Sequence, residues 1–184
     1  MVKHGMERKM KLSIRPGRED DATALATLLR ELDEFPRIQA EEPRETLRAV
    51  ETQVRQALAD GSHGIFVAEE EGGSLMAYLM IHWLPYLILP APEGFISELF
   101  VHPRARGLGA GRKLLEAATT EARARGCARL GLVNFRTEES YRRDFYKKHG
   151  WTERPEAANF ILPLSGQASV PAVIQPPPST SSPA

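Results

Sequence analysis

The segment Arg106-Gly107-Leu108-Gly109-Ala110-Gly111, set between an apolar strand and an amphipathic helix, constrains this chain more than any other. Glycines at alternate positions can take backbone angles closed to other residues and carry no Cβ, so successive N–H groups can converge on one anion. The helix that follows adds the positive end of its dipole and its unpaired first-turn N–H groups. Such a turn is built to hold phosphate, and its spacing separates it from two alternatives. A Walker A loop ends in Gly-Lys-Ser/Thr, whereas Gly111 is followed by Arg112 and Lys113, with no hydroxyl for magnesium. A dinucleotide fingerprint reads G-x-G-x-x-G after an early strand, whereas this chain reads G-x-G-x-G past its midpoint. Arg106, Gly109 and Gly111 fit R/Q-x-x-G-x-G/A, and Glu98-Leu99-Phe100-Val101 and Pro103 stand directly before it.

A second segment lies further on. After the helix come an apolar run, Leu130 to Val133, and then Asp144-Phe145-Tyr146-Lys147-Lys148-His149-Gly150-Trp151. On these two motifs, which cover residues 95 to 152 in order, the chain resembles the GNAT superfamily of acetyl-CoA-dependent N-acetyltransferases. That family's pyrophosphate loop has the first form, and Phe-Tyr, three residues, then Gly-Phe or Gly-Trp is common in it at this distance. The resemblance implies an α/β (α+β) fold, a mixed central sheet flanked by helices. In it the strand before the loop and the strand after its helix splay apart to admit an acyl-pantetheine arm. It implies acetyl-CoA as acyl donor, held by Leu99, Phe100, Val101, Arg106, Gly107, Leu108, Gly109, Ala110, Gly111 and Arg112. It also places Tyr146 where the family protonates the coenzyme A thiolate. An Asn often lies seven residues before that Tyr; here Glu139 stands there, and Asn134, further upstream, is the candidate for the pantetheine contact.

Acyl transfer to an amine needs a proton acceptor, because an alkylamine of pKa near 10.4 is almost fully protonated at neutral pH. Glu98 lies inside an otherwise apolar strand beside the loop, where burial would raise its pKa and make it a useful base. Ser97 occupies the position that carries the carboxylate in some branches of the family, and neighbours on a strand face opposite ways. A backbone N–H near Leu99 to Val101 would meet the oxyanion. His82 and Trp83, in an apolar strand, and Cys127, after a helix-capping glycine, are read as packing residues. His63, His102 and His149 have no zinc spacing, so no metal is expected.

Length and composition bound the rest. At 184 residues and 42% hydrophobic, the chain is long enough for one core and short for two. The expected organisation is a loose N-terminus over 1–10, one domain over 11–164, and a disordered Pro/Ser/Ala-rich tail over 165–184. A single cysteine, the lack of an apolar leader and the lack of any long apolar run point to a cytoplasmic protein with no membrane partner. Net charge is zero but uneven. Residues 19–51 hold ten carboxylates against four arginines, a balance of −6, and residues 104–148 hold twelve Lys/Arg against five Asp/Glu, a balance of +7. A basic half suits a phosphate-bearing cofactor and an acidic half a cationic amine. No aromatic-basic interleaving speaks for nucleic acid.

Periodicity predicts a strand over 12–15, a helix with Leu25, Leu28, Leu29 and Leu32 on one face, and a second from Pro43 to Gly61. It predicts a hairpin over 65–84, a strand over 95–101, the loop helix over 109–125, and a buried strand over 130–134. A helix over 138–149 and a closing strand over 160–164 complete the order. The expected activity is transfer of acetyl from acetyl-CoA to a primary amine. Small cationic amines, aminoglycosides, amino acids and protein amines stay open as acceptors, with a slight tilt to small cations. A non-catalytic acyl-CoA-binding module is the alternative, and a homodimer is left open.

Overall fold

The computed structural model describes residues 10–162 and 164, which fall into two compact units divided after Leu132. The first unit carries a five-stranded sheet in the order β1-β2-β3-β4-β5. Its strands are β1 (Leu12–Pro16), β2 (His63–Glu70), β3 (Leu75–Leu84), β4 (Glu93–Val101) and β5 (Arg129–Leu132). The first four pair antiparallel and β5 joins β4 in parallel, so the sheet is mixed, as the motifs implied. Its helices are α1 (Ala22–Arg30), the short α2 (Pro36–Ala40), α3 (Pro43–Leu58) and α4 (Ala110–Ala124). Pro36 opens α2, because a proline at the first helical position lacks no bond that the helix would make.

Strand alternation sorts the core. Ile65, Val67 and Tyr78, joined by Leu75 beyond the register shift between Ala68 and Glu69, pack with Leu25, Leu28 and Leu32 of the α1 segment and Val54 and Ala57 of α3. The alternate residues Ala68, Ala77, Leu79 and Ile81, all fully buried, turn to the face on which α4 lays Leu114, Leu115, Ala118 and Ala122. Arg15 ties α1 to the sheet by a bidentate pair with Asp21 at 2.7 and 2.8 Å and a bond to Glu69 at 2.7 Å. That pairing holds the Asp21 carboxyl below the usual carboxylate range.

The second unit departs from the expected pattern. In place of one helix over 138–149 there are two short ones, α5 (Glu139–Arg142) and α6 (Phe145–Lys148). Asp144 breaks them, sitting left-handed at φ 54°, a conformation that Asp tolerates better than most residues. The closing strand is absent among the described residues: Phe160 and Leu162 are 91% and 82% exposed and pair with nothing. β5 is accordingly an edge strand, half-buried instead of buried, and it stops at Leu132. The expectations for residues 1–9 and 165–184 lie outside the described residues. No helix among the described residues is long and apolar enough to cross a membrane.

Candidate active site

The loop before α4 has the backbone its glycines predict. Gly107 and Gly109 lie at φ 78° and 82°, a region costly for any residue with a Cβ. Gly109 is the N-cap of α4, and the N–H groups of Ala110, Gly111 and Arg112 are the first-turn donors that a helix leaves unpaired. Among the described residues, no carbonyl accepts from these three or from Gly107 and Gly109, so five N–H groups of one short loop are without partners. Leu108 N–H is taken by Ala105 at 3.3 Å. The Arg106 side chain is engaged. Its Nη2 donates to Glu34 Oε1 at 2.6 Å and its Nε to the Val101 carbonyl at 3.1 Å. Glu34 lies between α1 and α2, and its second carboxylate oxygen is buried without a partner among the described residues.

Upstream of the loop, β4 changes its pairing. The ladder with β5 ends at Ile96 opposite Leu132, so Leu99, Phe100 and Val101 are paired on the β3 side alone. The β3 register also slips here: Met80 pairs with Glu98, but Ile81 pairs with Ile96, leaving Ser97 as the extra residue of a bulge. Bulges re-aim side chains, and this one overturns the expectation that Ser97 and Glu98 face opposite ways. Tyr78 and His82 point to one face of β3, four residues apart; Tyr78 Oη donates to Glu98 Oε2 at 2.6 Å, while His82 Nε2 meets Ser97 Oγ at 2.8 Å. Glu98 and Ser97 therefore serve the same face. Glu98 is half-buried. Tyr78 is almost fully buried, and burial first, then the Glu98 charge, push its phenol well above the ordinary value, so it remains the donor. Phe100 packs edge-on against Phe35 at 4.8 Å and beside Tyr78, closing that face with rings.

His82 is half-buried and hydrogen-bonded, not the core residue expected, and the signal that sequence reading missed is the register slip, which no residue pattern announces. Trp83 is a packing residue, as expected, while Cys127 is only half-buried. Trp83 is buried under the Arg125 guanidinium at 4.7 Å, and burial raises the Cys127 thiol.

In the second unit Asn134 accepts from Ser140 Oγ at 3.0 Å through its Oδ1, which fixes the side chain ahead of α5. Tyr146 stands in α6 between the rings of Phe145 and Trp151 at 5.0 and 6.0 Å. No group among the described residues bonds to its hydroxyl, and burial pushes the phenol up to about 12. A proton passed from it to a thiolate, whose acid titrates near 8.5, runs uphill by roughly 5 kcal/mol unless the bound sulfur itself assists.

Residues 25–151, more than half of the chain, match the sequence profile of the Acetyltransferase (GNAT) family. The chain belongs to this family and is an acetyl-transferring enzyme. It is 31% identical over 153 residues to the uncharacterized N-acetyltransferase YhfO of Bacillus subtilis (strain 168), covering 82% of this chain and 97% of that one. It is 28% identical over 159 residues to an aminoglycoside N(6')-acetyltransferase type 1 of Stenotrophomonas maltophilia, covering 85% and 96%. Among solved structures, an integron cassette protein from the mobile metagenome of V. cholerae superposes with a TM-score of 0.72 at 19% identity, covering 85% of this chain and 95% of that one, which shows the shared fold.

Proposed function

We propose that this enzyme moves acetyl from acetyl-CoA to a primary amine, and that the acceptor is a small cationic amine. The observation that carries the donor is the row of five N–H groups at Gly107 to Arg112 that have no partner among the described residues, an arrangement suited to an anion such as a pyrophosphate. The donor supplies an activated acyl group; the remaining chemistry falls to side chains. Glu98 takes the amine proton on Oε1 while Tyr78 holds Oε2, and Tyr146 returns a proton to the departing sulfur. Asn134 contributes a polar contact to the pantetheine arm. The unpaired β3-distal edge of Leu99 to Val101 supplies backbone donors to the arm and to the oxyanion. The acceptor class rests on the acidic balance of residues 19–51 and on the relative that acts on aminoglycosides.

A thiol-release screen of acetyl-CoA against aminoglycosides, polyamines, amino acids and a lysine peptide tests this reading. Release with a small polycation, exceeding that with the peptide, is the expected result. A preference for the peptide overturns the acceptor class, and silence across the panel overturns the transfer reading.

A further inference from the structure

The bulge exposes a second polar pair, His82 and Ser97, beside Glu98. The His82 ring meets the His63 ring edge-on, centroids 4.6 Å apart. His63 Nδ1 lies 2.6 Å from Ser62 Oγ, which donates to Asp60 Oδ1 at 2.6 Å. A hydroxyl has one proton, so with that proton on Asp60 the His63 Nδ1–H must be the donor to Ser62. At Ser97 the hydroxyl proton has two acceptors within reach. The Met80 carbonyl is 3.5 Å away, at the limit of a hydrogen bond, whereas His82 Nε2 is at 2.8 Å. Either Ser97 donates to His82 Nε2, leaving the ring neutral with its proton on Nδ1, or the ring donates from Nε2 while Ser97 donates to Met80; a proton route through Ser97 uses the first arrangement. Ser97 is exposed, so the pair opens toward solvent on the face that also carries Glu98.

We propose that Ser97 and His82 form a second route for the acceptor's proton, with His63 keeping His82 free to receive it. This inference rests on the acetyl-transfer reading above. As the amine nitrogen bonds to the acetyl carbonyl carbon, the carbon–sulfur bond breaks with its electron pair on sulfur. The proton shed by nitrogen passes to Ser97 Oγ while the Ser97 hydroxyl proton passes to His82 Nε2, and the sulfur takes its proton separately. Ser97 is the catalytic residue of the pair, and His82, acting through it, is a positioning residue.

Burial lowers His82 below the ordinary imidazole range, and the nearby His63 adds to the effect, since two rings so close resist carrying two charges. The titratable groups on this side of His82 are His63 from β2, with Asp60 behind it through Ser62, and Glu98 from β4, which Tyr78 already engages. The receiving form is the neutral one, so this route is lost as pH falls through the lowered His82 value.

The test is the pH dependence of kcat, from about pH 5 to 9, with the best amine of the screen. In the Glu98→Gln background, where this route carries the remaining flux, Ser97→Ala and His82→Gln should each lower kcat about tenfold or more, leave the KM for acetyl-CoA unchanged, and fall no further when combined. Ser97→Thr, which keeps the hydroxyl, should restore the rate. His63→Gln removes one of the two causes that lower His82 and should move the acid limb to higher pH. In the unsubstituted protein, long-range 1H–15N spectra of the His82 ring should show the Nδ1–H tautomer at neutral pH. Kinetics indifferent to Ser97 and His82, losses that multiply in the double variant, or a His82 ring protonated on Nε2 overturns the route while thiol release still stands. Absence of thiol release with every amine overturns the acetyl-transfer reading itself.

Discussion

The loop at 106–112 and the bulge at Ser97 and Glu98 are a few residues apart in one strand–turn–helix segment, yet they treat polar groups in opposite ways. Among the described residues the loop leaves five N–H groups without acceptors, whereas at the bulge Tyr78, Glu98, His82 and Ser97 are joined two by two. Unpaired donors suit a ligand that arrives with its own charge and supplies every missing acceptor. Paired side chains suit a proton, which needs acceptors already aimed and already in the right protonation state. One region should therefore answer to changes in backbone shape, the other to pH.

The largest effect should come from the bulge. Glu98→Gln keeps the Tyr78 contact in shape but removes the charge, and kcat should fall about 10²- to 10⁴-fold. The loss should be greatest at low pH, where little acceptor is neutral, and shrink as pH rises; a loss independent of pH would assign Glu98 a binding role. Next comes Tyr146→Phe, which keeps the ring between Phe145 and Trp151 and removes the hydroxyl. We expect a fall in kcat of about tenfold or more at unaltered acetyl-CoA affinity. Because burial holds the phenol protonated until about pH 12, its acid form persists across the working range. No decline of kcat near pH 10, where an ordinary tyrosine titrates, should be traceable to it.

The loop should break differently. Open space surrounds the point where a Cβ on Gly109 would project, so Gly109→Val acts by backbone angle alone. A β-branched residue at φ 82° stores about 1–3 kcal/mol, which corresponds to about 5- to 150-fold in acetyl-CoA affinity by calorimetry, with kcat at saturation little altered. Unchanged affinity in a folded variant would remove the loop from the donor site. The contrasting substitution is Gly94→Ala, whose Cβ would meet Leu130 at 2.5 Å and Trp83 at 2.9 Å and should lower the melting temperature without a selective effect on binding.

The loop was legible in the sequence because each of its demands falls on a residue type: positive φ on Gly107 and Gly109, first-turn donors on the helix that follows. The α4 helix was legible for the same reason, since Leu114, Leu115, Ala118 and Ala122 repeat at its period. The bulge was not, because a register slip between Met80 and Ile81 depends on how two strands pair, and neither strand records it alone. Alternation argued that Ser97 and Glu98 must diverge, and the slip brings them together. The run Phe160 to Leu164 shows the reverse error. Its apolar content looked like a strand, but a strand requires a neighbour, and among the described residues it has none.

The smallest effect asks whether the loop has a charged partner of its own. Arg106, the first residue of the motif, is bound to Glu34 at 2.6 Å, and both side chains keep substantial exposure at 48% and 27%. Such a pair contributes about 0.2–1 kcal/mol once solvent screening is counted. Glu34→Gln should release Arg106 toward the pyrophosphate and raise acetyl-CoA affinity about two- to fivefold at low salt, with the gain fading as salt is added. Stability should change little, since the carboxylate already has one buried oxygen without a partner among the described residues. The opposite result would be equally informative. If affinity falls, Arg106 serves the loop as a tether, held by Glu34 and by its bond to the Val101 carbonyl, and the N–H groups bind the anion without a guanidinium beside them.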